Sequence, residues 1–242
     1  MQDSKKLFEQ MLKLPHPWEV TKVEIIESSQ EIKLYISYGS EEGVCPKTGE
    51  ICKIYDRRER SWRHLDIMDY RTWIVSRLPR VKNSLGNYHF IPVDWSEPGL
   101  EHTMKFENHS ITTLKATHCQ KTAASLLHIS NDKVCGIMHR SVARGLQRRD
   151  LNKHPVTAIS IDEKSHGKGQ RYISVLTDSV KGNVLDVIRE RTEAAANALI
   201  NKVFTAEQLT GIQKTCCDMF ASYMNALKKT VSMPSWYTTS FM

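Results

Sequence analysis

The strongest constraint on the fold lies beyond Pro155. There, helical periodicity gives way to three short strand-like segments: VTAISID (156–162), RYISVLTD (171–178) and NVLDVIRE (183–190). A helical stretch follows over 192–203. A weaker strand-like segment, GIQKTCCD (211–218), and a second helical stretch over 219–230 complete the series. Alternating apolar residues bounded by turn formers mark the strands, and a 3.6-residue period marks the helices.

This order suits a sheet of the ribonuclease-H-like type. Three strands run antiparallel, and a helical crossover then lays the fourth strand parallel beside the first. Such a crossover would bring together Asp162 and Asp218, which end strands one and four. Paired carboxylates supply the hard oxygen ligands that Mg²⁺ or Mn²⁺ takes. Two such ions can activate an attacking oxygen and stabilise a leaving one at a phosphodiester. Each Asp also suits a plain turn or helix cap. Glu163, Lys164, His166 and Lys168 follow in a Gly-containing loop, either touching phosphate or keeping the loop soluble. Asp178 ends a strand and reads first as a turn residue.

Upstream, Thr112–Leu151 is mostly helical. Ala123, Leu126 and Leu127 form the inner face of one helix, and Ile129 is the apolar residue of a turn. Ser130 or Asn131 caps the next helix, whose apolar stripe is Val134, Ile137, Met138 and Val142. That leaves Asn131, Asp132, Lys133, Gly136, His139 and Arg140 facing out, as a recognition helix requires. Arg144, Arg148 and Arg149 extend the cationic end, where they also complement the helix dipole. A plain helical hairpin has the same pattern.

The 242 residues carry 34 Lys and Arg against 27 Asp and Glu, a net charge of +7. From Lys53 to Lys82 nine cations face four acids, with Tyr55, Trp62, Tyr70 and Trp73 interleaved. Clustered cations beside aromatics suit phosphate contact and stacking, or else form a solvated face over two buried tryptophans. With 40% hydrophobic and 25% charged residues, global disorder is excluded. No apolar run approaches the roughly 20 residues of a membrane helix. The N-terminus lacks the apolar core of a secretory signal, so a cytoplasmic location without membrane contact is expected. The six cysteines (45, 52, 119, 135, 216 and 217) are then read as thiols or metal ligands. Further expected elements are a helix over 7–14, two strands joined at Ser28–Gln30, a turn-rich knuckle over Gly43–Glu50, and strand pieces such as Thr72–Leu78 set among loops.

Several long motifs occur in one order: YDRRERSWRHLD (55–66), RLPRV (77–81), VDWSEPG (93–99), SIDEKSHGKGQRYISVLTD (160–178) and CDMFASYMNAL (217–227). Together they resemble the bacterial insertion-sequence transposases of the ISL-three family, which are DDE-type enzymes. The resemblance implies an α+β multidomain chain in three parts. A zinc-knuckle-like β domain would occupy 1–96, a helix-turn-helix 97–154, and an incomplete ribonuclease-H-like catalytic domain 155–242. It implies that Asp162 and Asp218 are the first two acids of the triad and hold Mg²⁺ or Mn²⁺. It also implies double-stranded DNA, at terminal inverted repeats, as the partner, together with self-association and a nucleoid location.

The sequence departs from the family pattern in two places. The family's knuckle reads Cys-Pro-x-Cys followed later by a Cys and a His. Here Cys45 remains, but Thr48, Asn83 and Gly86 stand at the other three positions. One ligand of four does not hold tetrahedral Zn²⁺. Cys52 and His64 are the substitutes to consider, though C-x₆-C exceeds the usual short loop. Zinc is therefore not expected. Secondly, the family's third acid lies downstream of the last residue here. The tail SWYTTSFM can be encoded so that a one-base shift reads LVYDKFHV, so a frame slip near Pro234 is expected. The sheet would then lack its fifth strand, and the chain would be inactive alone. A non-catalytic DNA-binding regulator or competitor of transposition is the alternative, and a decayed gene product without a role is a third.

Overall fold

In the computed structural model the chain forms two compact units, Met1–Leu146 and Gln147–Met242. Residues 2–167, 169, 171–231 and 237–238 are described.

The first unit opens with helix α1 (Gln2–Leu12) and the antiparallel pair β1 (Trp18–Ile26) and β2 (Glu31–Tyr38). A short 3-10 turn over Glu27–Ser29 joins them where the sequence places a turn. β3 (Glu42–Val44), β4 (Ile51–Arg63), β5 (Arg71–Lys82) and β6 (Tyr88–Phe90) complete a six-stranded sheet. Its order is β1-β2-β5-β4-β3, with β6 also on β5. β2 and β5 are parallel, pairing Leu34 with Ile74. The expected mixture of strand pieces and loops over 53–82 is corrected to two long paired strands. Arg57, Arg58, Glu59 and Arg60 break the apolar alternation, and cross-strand pairs such as Arg80 with Asp56 (Nε–Oδ1 2.8 Å) hold the ribbon instead.

The core of this sheet gathers three tryptophans. Trp95 meets Trp18 and Trp62 edge-on, with centroids 5.0 and 5.6 Å apart. Of the two tryptophans at 62 and 73, only Trp62 is fully buried.

Helices α2 (Met104–Thr117), α3 (Gln120–Leu126) and α4 (Asn131–Arg148) follow, α4 running two residues past the end of this unit. Phe106, Ala123, Ala124, Leu127, Val134 and Ile137 form their core. Leu126 and Val142, expected on the apolar face, are instead exposed, and Ala124 takes the inner position.

The WRH segment of β4 ties the sheet to α2. Arg63 is buried and ion-paired with Asp66. Its Nη1 donates to the His64 carbonyl at 2.6 Å, and its guanidinium lies 5.1 Å from the Phe106 ring. His64 Nδ1 lies 2.9 Å from the hydroxyl of Thr103, which also caps α2 by accepting from Phe106 N.

In the second unit the elements are β7 (Ala158–Ser165), β8 (Tyr172–Asp178), β9 (Asn183–Arg189), α5 (Glu193–Val203), α6 (Ala206–Thr210), β10 (Lys214–Cys217), α7 (Ala221–Thr230) and β11 (Tyr237–Thr238). The sheet order is β11-β10-β7-β8-β9. β7, β8 and β9 are antiparallel neighbours, whereas β10 runs parallel to β7. Ile159, Ile161, Leu176, Leu199, Ile200 and Leu227 belong to its core. The expected absence of a fifth strand is corrected: Tyr237 and Thr238 pair in parallel with Cys216 and Cys217. The remaining residues of the tail (235, 236 and 239–242), to which the frame-slip expectation refers, lie outside the described residues.

Burial pushes the His64 pKa down from 6.5 to about 4, with Lys105 and Arg63 adding positive charge nearby. The folded chain therefore takes this proton less readily than the unfolded chain. Stability is full above pH 6.5 and falls as pH drops toward 4, by about 3 kcal/mol in all. Urea midpoints measured from pH 7.5 to 4.5 should decline, and His64→Asn should flatten that decline. Identical slopes in the two chains would exclude His64 as its source.

Candidate functional site

The parallel register of β10 on β7 pairs Cys217 with Ile161. The next residue in each case is an aspartate, Asp162 within β7 and Asp218 just past the end of β10, so the two emerge beside each other from strands about 4.8 Å apart. Both are exposed. Each also makes a local bond: Asp162 Oδ1 accepts from Glu163 N at 2.8 Å, and Asp218 Oδ1 from Phe220 N at 3.0 Å. The local turn role and the cross-strand pairing thus coexist.

Three further side chains belong to this corner. Glu163 is half-buried, and its Oε1 lies 3.4 Å from Arg191 Nη1. Its Oε2 is buried without a hydrogen-bond partner. Burial, then the Asp218 charge, raises the Glu163 pKa; Asp162 adds to the rise and Arg191 opposes it. Arg191 stacks 4.0 Å from the Tyr172 ring centroid and 5.2 Å from that of Phe220. Beneath, the buried Tyr223 hydroxyl lies 2.8 Å from Ser174 Oγ, which donates to the Glu190 carbonyl. Sequence reasoning names Glu163 only as a loop residue and misses Arg191. The tandem Asp-Glu is its one available signal, because Arg191 arrives from the loop before α5. A cavity of about 530 Å³ opens beside this corner, with Arg171, Arg189, Arg191, His166 and Tyr172 in its wall. One acid, Glu190, shares that wall.

Among the described residues, no three His, Cys, Asp or Glu side chains converge as a ready metal cage. Two exposed carboxylates still fit a hard cation that keeps several of its waters, as Mg²⁺ does. Zinc does not fit. Cys45 is buried and Cys52 half-buried, and His64, the further candidate, is engaged with Thr103.

Helix α4 starts as expected, with Ser130 Oγ accepting from Lys133 N at 3.3 Å. Asn131, Lys133 and His139 are exposed near its start and middle. Lys133 pairs with Glu101 at 3.1 Å, and His139 lies 3.8 Å from Cys135 Sγ. Arg140 and Arg144, expected to face DNA, are engaged within the fold. Both reach the fully buried carboxylate of Glu107 on α2, at 2.5 and 2.6 Å. Arg144 also takes Glu97 at 3.1 Å. A buried carboxylate needs cations beside it, and these two supply them. Arg149 donates to the Leu185 carbonyl. Arg148 is exposed with no ion pair among the described residues.

Two families of known proteins match the chain. One, described as transposase, covers residues 159–236, and so contains both aspartates. The other, described as zinc-finger of transposase IS204/IS1001/IS1096/IS1165, covers residues 41–82. Both matched descriptions are those of transposases. Transposases for insertion sequence element IS1557 from two strains of Mycobacterium tuberculosis are each 26% identical over 182 residues. That alignment covers 73% of this chain and 40% of the relative, so the chain spans about two fifths of the length of these relatives. Over these two segments the chain is similar to the ISL-three family of insertion-sequence transposases.

Removing the carboxylate of Glu107 leaves two cations partly buried without their partner. Glu107→Ala should cost roughly 3 kcal/mol, read as a lower urea midpoint. An unchanged midpoint would mean that the cluster contributes nothing to stability.

Proposed function

We propose that this chain is the DNA-handling part of an insertion-sequence transposase that binds terminal inverted repeats and directs metal-dependent cleavage and strand transfer. The observation that carries this reading is the β7–β10 register, which sets Asp162 beside Asp218. In this reading 155–242 is a ribonuclease-H-like catalytic region, and α3 and α4 are the paired helices of a helix-turn-helix within 97–154. The part over 1–96 is a ribbon-like β domain. Asp162 and Asp218 would hold Mg²⁺ or Mn²⁺, which would supply activation of an attacking oxygen and stabilisation of the leaving one. Around them, Glu163 and Arg191 balance charge beside the acids. Arg171 and Arg189 give the neighbouring cavity a cationic wall for a DNA strand's phosphates. Asn131, Lys133, His139 and Arg148 are the α4 residues left to meet duplex DNA.

A second reading, a binding regulator without catalysis, is favoured by the division of the chain. Asn131, Lys133 and His139 sit in the first unit and the aspartates in the second, so DNA contact does not require the acids.

Two measurements test these readings. Fe²⁺ substituted for Mg²⁺, with ascorbate and peroxide, should cut the backbone next to residues 162 and 218, and Asp162→Ala should abolish the cut. Cleavage elsewhere, or none, would remove the carboxylate site. Binding of duplex element ends, followed by fluorescence anisotropy, should survive Asp162→Ala. It should weaken several-fold in Lys133→Ala/Arg148→Ala, with the salt slope reduced by about one for each phosphate no longer neutralised. Unchanged affinity and slope would move the DNA surface off α4.

A further inference from the structure

The region matched to the zinc-finger family holds Cys45 and Cys52, and two turns, one within it and one just after it, are both formed. In the first, Cys45 N donates to Glu50 O at 2.8 Å and Gly49 N to Cys45 O at 2.9 Å. In the second, Asn83 N donates to Asn87 O and Gly86 N to Asn83 O, both at 3.0 Å, and Asn87 N closes on Asn83 Oδ1 at 2.8 Å. These are the turns that present ligands from the two ends of a ribbon.

Polar side chains join the turns. The Glu50 carboxylate accepts from Ser84 N at 3.1 Å and from Ser84 Oγ at 2.6 Å, clasping the first turn to the second. Cys45 is fully buried and Asn83 nearly so. The Glu50–Ser84 bonds therefore hold the turn that carries Cys45 against the turn that carries Asn83. Apolar packing completes the closure. A Cβ at Gly43 would lie 2.1 Å from Ile91 Cδ1, so the strand beside the knuckle sits directly on that side chain.

We infer that this ribbon folds without zinc, closed by its two backbone-bonded turns around the buried Cys45 and Asn83 together with the Glu50–Ser84 clasp. The inference concerns the ribbon alone and stands whether or not the chain cuts DNA. A bound ion ordinarily supplies folding energy to such small domains. Here two short turns share that task with the tryptophan core of the sheet.

The full chain, purified without chelator, should contain far less than one zinc by mass spectrometry of the metal. Its melting temperature should not change with EDTA or phenanthroline. One zinc per chain with chelator-induced unfolding would overturn the inference. Thr48→Cys/Asn83→Cys/Gly86→His should bind one zinc and become chelator-sensitive. Gly86 has open space around a Cβ but a φ of +80°, so the new side chain costs about 1 kcal/mol of strain. A folded triple variant that takes no zinc would refute the apposition of the two turns. Glu50→Ala should lower the urea midpoint of the original chain, and no change would refute the clasp. Should the triple variant fail to fold, the metal content of the original chain still decides.

Discussion

A parallel pairing of four residues, Lys214–Cys217 against Ala158–Ile161, governs the second unit. Parallel neighbours need a long connection, and here it is filled by β8, β9, α5 and α6. The pairing fixes which residues leave the two strands together. Side chains alternate faces along a strand, so a one-residue slip would exchange the buried Ile161 for Asp162. The core around Ile159 and Ile161 thus enforces the alignment of the carboxylates. Chemistry at this corner depends on apolar packing on the sheet.

Charge in this chain has two uses that composition cannot separate. The cations of α4 read as one DNA-facing group. In the fold, Arg140 and Arg144 neutralise Glu107, an acid 33 and 37 residues upstream. Lys133 and Arg148 remain near the solvent. The same division recurs on the β4–β5 ribbon, where Arg80 is committed to Asp56 and lies near Tyr55, Tyr88 and Phe90. A cation that answers an acid distant in sequence looks identical, in a string of residues, to one awaiting phosphate.

The second unit is the more legible in sequence. Its first four strands alternate apolar residues cleanly and end at turn formers, so their order is readable, as is the meeting of Asp162 and Asp218. β4 and β5 are hidden because the Arg57–Arg60 run carries no apolar alternation, and their pairing shows only when the partner strand is known. Leu126 and Val142 are misplaced by periodicity because a helical stripe has two plausible edges, and only the packing of α2 selects one. Arg191 escapes because it lies in a loop whose sequence shows no period. The gaps in legibility are those of long-range contact.

The parallel contact between β2 and β5 carries a cost in time. β2 ends at Tyr38 and its partner begins at Arg71, with β3 and β4 between them. On a ribosome adding about 5–20 residues per second, the first hairpin waits some seconds for its neighbour. During that wait Ile32, Leu34 and Ile36, buried in the finished sheet, have no β5 beside them. Non-local strand pairing is slow to form and exposed to off-pathway association. The early life of this chain is therefore its most vulnerable stage, and a nascent-chain chaperone would find its target in the first forty residues.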